Sequence, residues 1–168
     1  MREVISKKKT MMKLIPLFFL FVVGTTQAQD TEDMLIGKTS ASAFQKAPYS
    51  EWFVKGYDTY TIEDSIKDDL KPLLDGVYVK IFMGTWCSDS QREVPHFYKI
   101  LDQLDFPSEN STLIAMDRSK KTPANLEEGL HIERVPTIIF YKNNVELGRI
   151  VEYPIVSLEK DMLKILSG

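Results

Sequence analysis

From Thr61 onward the apolar residues of this chain alternate between two rhythms, and the alternation predicts its elements. Ile62, Ile66, Leu70, Leu73 and Leu74 fall on one face at helical spacing, and Gly76 ends that segment. V-Y-V-K-I-F-M (77–83) is an apolar, β-branched run bounded by glycines, as expected of a strand buried on both faces. Val94, Phe97, Tyr98, Leu101 and Leu104 return to helical spacing, and T-L-I-A-M-D (112–117) reads as a second short strand. S-K-K-T-P (119–123) breaks the chain, and a short helix is predicted over Ala124–Leu130. T-I-I-F-Y (137–141) and V-E-L-G-R-I-V (145–151) flank Asn143-Asn144, a pair that tolerates positive φ and suits a hairpin turn. Ser157 can cap a last helix with Leu158, Met162, Leu163 and Leu166 facing inward.

Upstream the signal is weaker. E-W-F-V-K-G-Y (51–57) has the composition of a strand. Residues 29–49 are small and polar without a sustained period and read as a leader segment, partly disordered. The order is therefore β-α-β-α-β-α-β-β-α over residues 50–168. Strands alternating with helices imply a parallel core sheet, and the final hairpin implies an antiparallel edge, giving a three-layer α/β domain. No internal repeat or low-complexity tract interrupts it.

The first 28 residues belong to a different pattern. Lys7, Lys8, Lys9 and Lys13 form a positive region, Leu14–Val23 is a short apolar run, and T-T-Q-A-Q-D (25–30) supplies small residues for a cut after Ala28. The run contains Pro16 and is far shorter than the roughly 20 residues needed to span a bilayer. The expectation is a cleaved signal peptide, a periplasmic or secreted protein, and no stable membrane insertion after cleavage. With no cysteine near the cut, a lipid-modified amino terminus is not expected. Residues 1–28 carry five of the 21 Lys+Arg and one of the 24 Asp+Glu, so removing them leaves 16 against 23, a net charge of −7. That balance argues against nucleic acid or an anionic membrane surface as partner.

Cys87 is the single cysteine of the chain, so no disulfide staples the domain. A lone cysteine in an oxidising compartment is unusual. It sits in G-T-W-C-S-D-S-Q-R-E-V-P (84–95), between the buried strand and the long helix, where unpaired backbone N–H groups and the helix dipole favour a thiolate. Asp89, two residues on, opposes it. Cys87, His96 and His131 have no metal-ligand spacing, so neither a metal nor a cofactor is expected.

Trp86-Cys87 at a strand end, Pro95 eight residues later within the helix, and R-V-P-T (134–137) before the hairpin together resemble the thioredoxin family. The element order matches from residue 51 onward. Q-R-E-V-P (91–95) further resembles the exported, cytochrome-maturation-type branch, which has an acidic residue two before that proline. The resemblance implies a thioredoxin-like fold with a central mixed sheet flanked by helices. It makes Cys87 the nucleophile beside Trp86, with Val135, a cis-Pro136 and Asp89 on the substrate side. Two departures stand out. Ser90 occupies the position of the second cysteine, where a hydroxyl can donate to the thiolate but cannot resolve a mixed disulfide. Ile81 occupies the position of a proton-shuttling carboxylate.

The leading functional expectation is a monothiol C-x-x-S protein in thiol–disulfide exchange. Its partners would be client proteins or small-molecule thiols and disulfides, with a Cys87-linked homodimer as a further candidate. A non-catalytic protein-binding module with the same fold is the alternative. A thiol peroxidase ranks last, because Thr85 stands two residues before Cys87 rather than three. His96 and His131 are read as surface or structural residues, and Arg134 as a solvated surface arginine.

Overall fold

The computed structural model describes residues 34–168; the leader expected at 1–28 and the start of the polar segment lie outside them. The elements are β1 (Gly37–Thr39), α1 (Ser50–Thr59), α2 (Asp64–Leu70), β2 (Val77–Met83), α3 (Ser88–Gln103), β3 (Ser111–Ala115), β4 (Thr137–Lys142), β5 (Val145–Val151) and α4 (Leu158–Ser167). The five strands form one sheet in the order β1-β3-β2-β4-β5. β2 and β3 are parallel, and the other three pairings are antiparallel.

β2 is the centre of the sheet, as its unbroken apolar run requires. Ile81 is flanked by Leu113 on one side and Ile138 on the other. Val77, Val79, Ile81 and Met83 enter one core together with Phe53 of α1, Leu70 of α2, Phe97 of α3 and Met162 of α4. The opposite face carries Phe82, Ile114 and Ile139, closed over by Val135, Leu126, Leu130 and Ile132 from the β3–β4 connection. This is the three-layer, thioredoxin-like arrangement, with a mixed sheet at its middle. Its particular feature is that the layer over the second face is made of turns.

Three expectations about elements change. Residues 51–57 lie in α1, a helix, and do not form a strand. Trp52, Phe53, Gly56, Tyr57 and Tyr60 recur at helical spacing, and the ring of Phe53 packs within 6.1 Å of Tyr98 on α3. A Cβ at Gly56 would stand 2.8 Å from Pro95 Cγ, so the missing side chain lets α1 lie directly on α3. The polar segment contains β1 and a 3₁₀ turn at Ala41–Gln45, anchored by the fully buried Phe44. The Phe44 ring lies 5.3 Å from those of Trp52 and Phe53.

Ala124–Leu130 is a series of turns in which no helix forms. Asn125, Gly129 and His131 have positive φ, which no helix accommodates. Side chains take the place of the helical ladder there. Thr122 Oγ1 accepts from Leu126 N at 2.8 Å and donates to Glu127 Oε2 at 2.7 Å. The helix predicted over Thr61–Leu74 is present as α2, followed by a 3₁₀ turn at Lys71–Leu74. Pro72, lacking an N–H, cannot continue the α-helical ladder there.

Candidate functional site

The end of β2 and the start of α3 are joined by a turn that bonds to itself. Cys87 N donates to Gly84 O at 3.0 Å, and Gln91 N donates to Cys87 O at 2.9 Å to open the helix. Cys87 is the N-cap of α3, in an extended conformation (φ −97°, ψ 123°), and its side chain makes no capping bond. Trp86 folds back over Gly84: a Cβ on Gly84 would lie 2.5 Å from the indole Cε2, so only glycine fits beneath the ring. The indole Nε1 donates to Met116 O at 2.9 Å, and the Arg118 guanidinium lies 5.3 Å from the ring centroid. Met116 N in turn donates to Met83 O at 2.8 Å, tying the chain beyond β3 to the end of β2.

Four of the residues singled out from the sequence converge here. Half-buried Cys87 donates from Sγ to Val135 O at 3.1 Å. Val135 is buried, and its bond to Pro136 is cis. Thr137 Oγ1 donates to Arg134 O at 2.7 Å and Glu152 N donates to Pro136 O at 2.7 Å, so both sides of the loop are held in place. Cys87 and Trp86 from the turn thus meet Val135 and Pro136 from a loop some fifty residues later. The contact requires a proton on sulfur, because a carbonyl oxygen can only accept.

Ser90 and Asp89 make their bonds within the turn and the first turn of α3. Ser90 is fully buried, and its Oγ accepts from Gly84 N at 3.2 Å, so its oxygen braces the turn. Asp89 pairs along the helix with Arg92 at 2.8 Å, and Arg92 Nε donates to Glu93 Oε1 at 2.6 Å. These two carboxylates, Glu93 foremost, hold the Arg92 guanidinium above its ordinary pKa. Arg134 is exposed and pairs with Glu152 at 2.5 Å. Ile81 is fully buried in the apolar core, so the position resembling the family's carboxylate carries no ionisable group.

Two features had no motif to announce them. Gln91 Nε2 donates to Thr85 O at 2.7 Å and braces the middle of the turn. Behind the turn, buried Glu93 and Glu159 lie beside Tyr60 and His96. Tyr60 OH donates to Glu159 Oε1 at 2.8 Å and its ring stacks on His96, with centroids 4.3 Å apart. Burial, then the bond to Glu159, pushes the Tyr60 phenol well above its ordinary range. Burial also lowers the pKa of His96, with Glu93 opposing. The acidic residue in Q-R-E-V-P was visible in the sequence, but its partners come from distant elements. A cavity of about 180 Å³ beside the turn is lined by Tyr49, Trp52, Thr85, Trp86 and Gln91, among others.

No family model and no curated protein matches the chain. Among solved structures, a Pseudomonas aeruginosa protein of unknown function superposes with a TM-score of 0.56 at 16% identity, covering 77% of this chain and 90% of that one. An HIV epitope-scaffold protein superposes with a TM-score of 0.56 at 15% identity, covering 77% of this chain and 91% of that one. Thioredoxin O2 from Arabidopsis thaliana, in its oxidized state, gives a TM-score of 0.40 at 22% identity, with 60% and 85% covered. At these identities the likeness to the first two concerns the fold alone.

Proposed function

We propose that this chain is an exported monothiol protein acting in thiol–disulfide exchange with client proteins through Cys87, akin to the cytochrome-maturation-type branch of the thioredoxin family. The observation that carries the reading is the 3.1 Å contact between Cys87 Sγ and the carbonyl of Val135, beside cis-Pro136 and at the N-terminus of α3. A nucleophile there stands next to a backbone group able to pair with an extended client segment. Once deprotonated, Cys87 attacks one sulfur of a client disulfide; a Cys87–client disulfide forms and the other client sulfur leaves as a thiolate. Ser90 carries no thiol, so release requires a thiol from outside this chain, either a separate external thiol or one of the client's own, which attacks the mixed disulfide. If it attacks the client sulfur, Cys87 leaves as the thiolate and the client is left joined to the external thiol. If a second thiol of the client attacks instead, the client isomerises.

The test is capture of the intermediate. Protein taken from its native compartment without reductant, and blocked by alkylation, is expected to show a fraction shifted in mass by a disulfide-linked adduct that dithiothreitol removes. Cys87→Ser should abolish the shift. An unmodified thiol throughout, with clients still bound by the Cys87→Ser chain, would instead support the non-catalytic binding module. That second reading draws on one observation: the Ser90 oxygen accepts from Gly84 N, and no bond joins its hydroxyl to the sulfur.

A further inference from the structure

The sheet has two outer strands, and they are unequal. β1 is three residues long, G-K-T, too short to template much pairing. β5 is seven residues long, which at strand rise is about 23 Å of backbone. It forms the opposite edge of the sheet, and Val145 (63% exposed), Leu147 (40%) and Val151 (41%) are open to solvent. Tyr153, Ile155 (89%) and Val156 (68%) extend the patch along the chain toward α4. Among the described residues, six of the seven exposed large apolar side chains fall within residues 145–156. A groove of about 430 Å³ is bounded by Leu147, Ile150, Ile155, Val156 and Ile165 from β5, α4 and the chain between them. Proteins ordinarily guard a long edge with charge, proline, a bulge or brevity; β5 has a bulge and one acid–base pair, yet its exposed apolar residues form a patch of the kind that marks a contact surface.

The charges on β5 indicate what covers it. A bulge in the β4–β5 pairing leaves Leu147 unpaired and sets Glu146 opposite Tyr141 and Gly148 opposite Phe140. Arg149 bonds Glu146 through Nε and a terminal nitrogen, each at 2.6 Å, so this acid–base pair shares one face. The strand V-E-L-G-R-I-V is self-complementary about its Leu147–Gly148 midpoint. Turned antiparallel against itself, it sets Glu146 opposite Arg149 and Val145 opposite Ile150, each twice. A two-fold axis normal to the sheet preserves the faces, so the opposite charges of two copies meet on the same side.

We propose that β5 is the interface of a homodimer, in which β5 of a second copy adds antiparallel to this edge. The two five-stranded sheets become continuous, the Glu146–Arg149 pairs join into a four-charge network, and the apolar side chains of residues 145–156 lose their exposure. The association uses no disulfide and is independent of the chemistry at Cys87.

Sedimentation equilibrium of the full chain, in dithiothreitol and from micromolar to near-millimolar concentration, tests this. A reversible dimer is expected. Arg149→Glu, which sets like charges opposite each other twice, should weaken it about tenfold or more. Glu146→Arg combined with Arg149→Glu should restore it. Val145→Lys, at an exposed site that folding tolerates, should also weaken the dimer and guards against an Arg149 variant that fails to fold. A monomer at every concentration, a dimer indifferent to Val145→Lys, or a dimer that dithiothreitol abolishes would each overturn the proposal. The last of these would point to linkage through Cys87.

Discussion

Ser90→Cys tests the geometry of the turn directly. Cys87 is the N-cap of α3 and Ser90 is the third helical residue, the relation in which an N-cap side chain ordinarily reaches across the first turn. Two costs follow, the first in the reduced variant and the second only when it is oxidised. Ser90 Oγ is the acceptor for Gly84 N–H inside the protein, and sulfur is a weak acceptor; losing that bond costs about 1–3 kcal/mol. To meet a sulfur at position 90, Cys87 must also leave Val135 O, giving up about 1 kcal/mol. Against this, closing a four-residue loop removes about 2 kcal/mol of chain entropy from the unfolded state. The reduced variant should therefore be less stable than wild type by about 1–3 kcal/mol. The oxidised variant should recover about 1 kcal/mol relative to the reduced one. Urea unfolding of the three species, with intact mass to verify the oxidation state, measures both steps. Two thiols that stay free under mild oxidation, or an oxidised form less stable than the reduced, would show that the side chains of residues 87 and 90 do not face one another.

Three further outcomes follow from the same contacts. Gly84→Ala forces a Cβ to within 2.5 Å of the Trp86 ring, so the indole must leave Met116 O; a loss of about 1–3 kcal/mol and a shift in tryptophan fluorescence are expected, and an unshifted spectrum would contradict the packing. Tyr60→Phe removes the donor to buried Glu159 and should cost about 1.5–3 kcal/mol by urea unfolding, whereas a change under about 0.5 kcal/mol would mean the carboxylate is satisfied without it. His96 has a lowered pKa in the folded state, so below its ordinary value of 6.5 the unfolded chain binds the proton first, and stability falls as pH drops through that value. His96→Phe should flatten the stability curve just below pH 6.5, and a curve parallel to wild type would remove His96 as its source.

The parts of the fold legible in the sequence are those with strong local period. β2, α3, the β4–β5 hairpin and α4 were readable because an apolar run, a helical face, an Asn-Asn turn and a capping serine each point one way. α1 was misread because its composition and its period disagree. Trp52, Phe53 and Tyr57 are residues strands favour, yet their spacing with Gly56 and Tyr60 is helical, and the contact with Pro95 decides the matter. β1 is three residues whose only reason to be extended is pairing with β3, so no local signal exists. At 122–131 the helical propensity is overridden by bonds from Thr122 and by residues with positive φ.

The candidate site divides in the same way. Trp86-Cys87 and Val135-Pro136 were named from a resemblance, and nothing in their local sequences states that they touch. The geometry adds what the side chains of the turn are for. Ser90 holds Gly84, Gln91 holds Thr85, and Trp86 holds Met116, so three of the turn's polar side chains are committed to keeping it rigid. The thiol, like the indole, reaches outside the turn: its partner, Val135 O, belongs to the loop before β4. On the proposed thiol-exchange reading, a deprotonated Cys87 cannot donate a hydrogen bond, so loss of its proton also removes the sulfur's bond from the Val135 carbonyl, leaving both lone pairs for an incoming backbone N–H. On that reading, activation of the sulfur and release of the backbone beside it are one event, available to a turn with a single thiol.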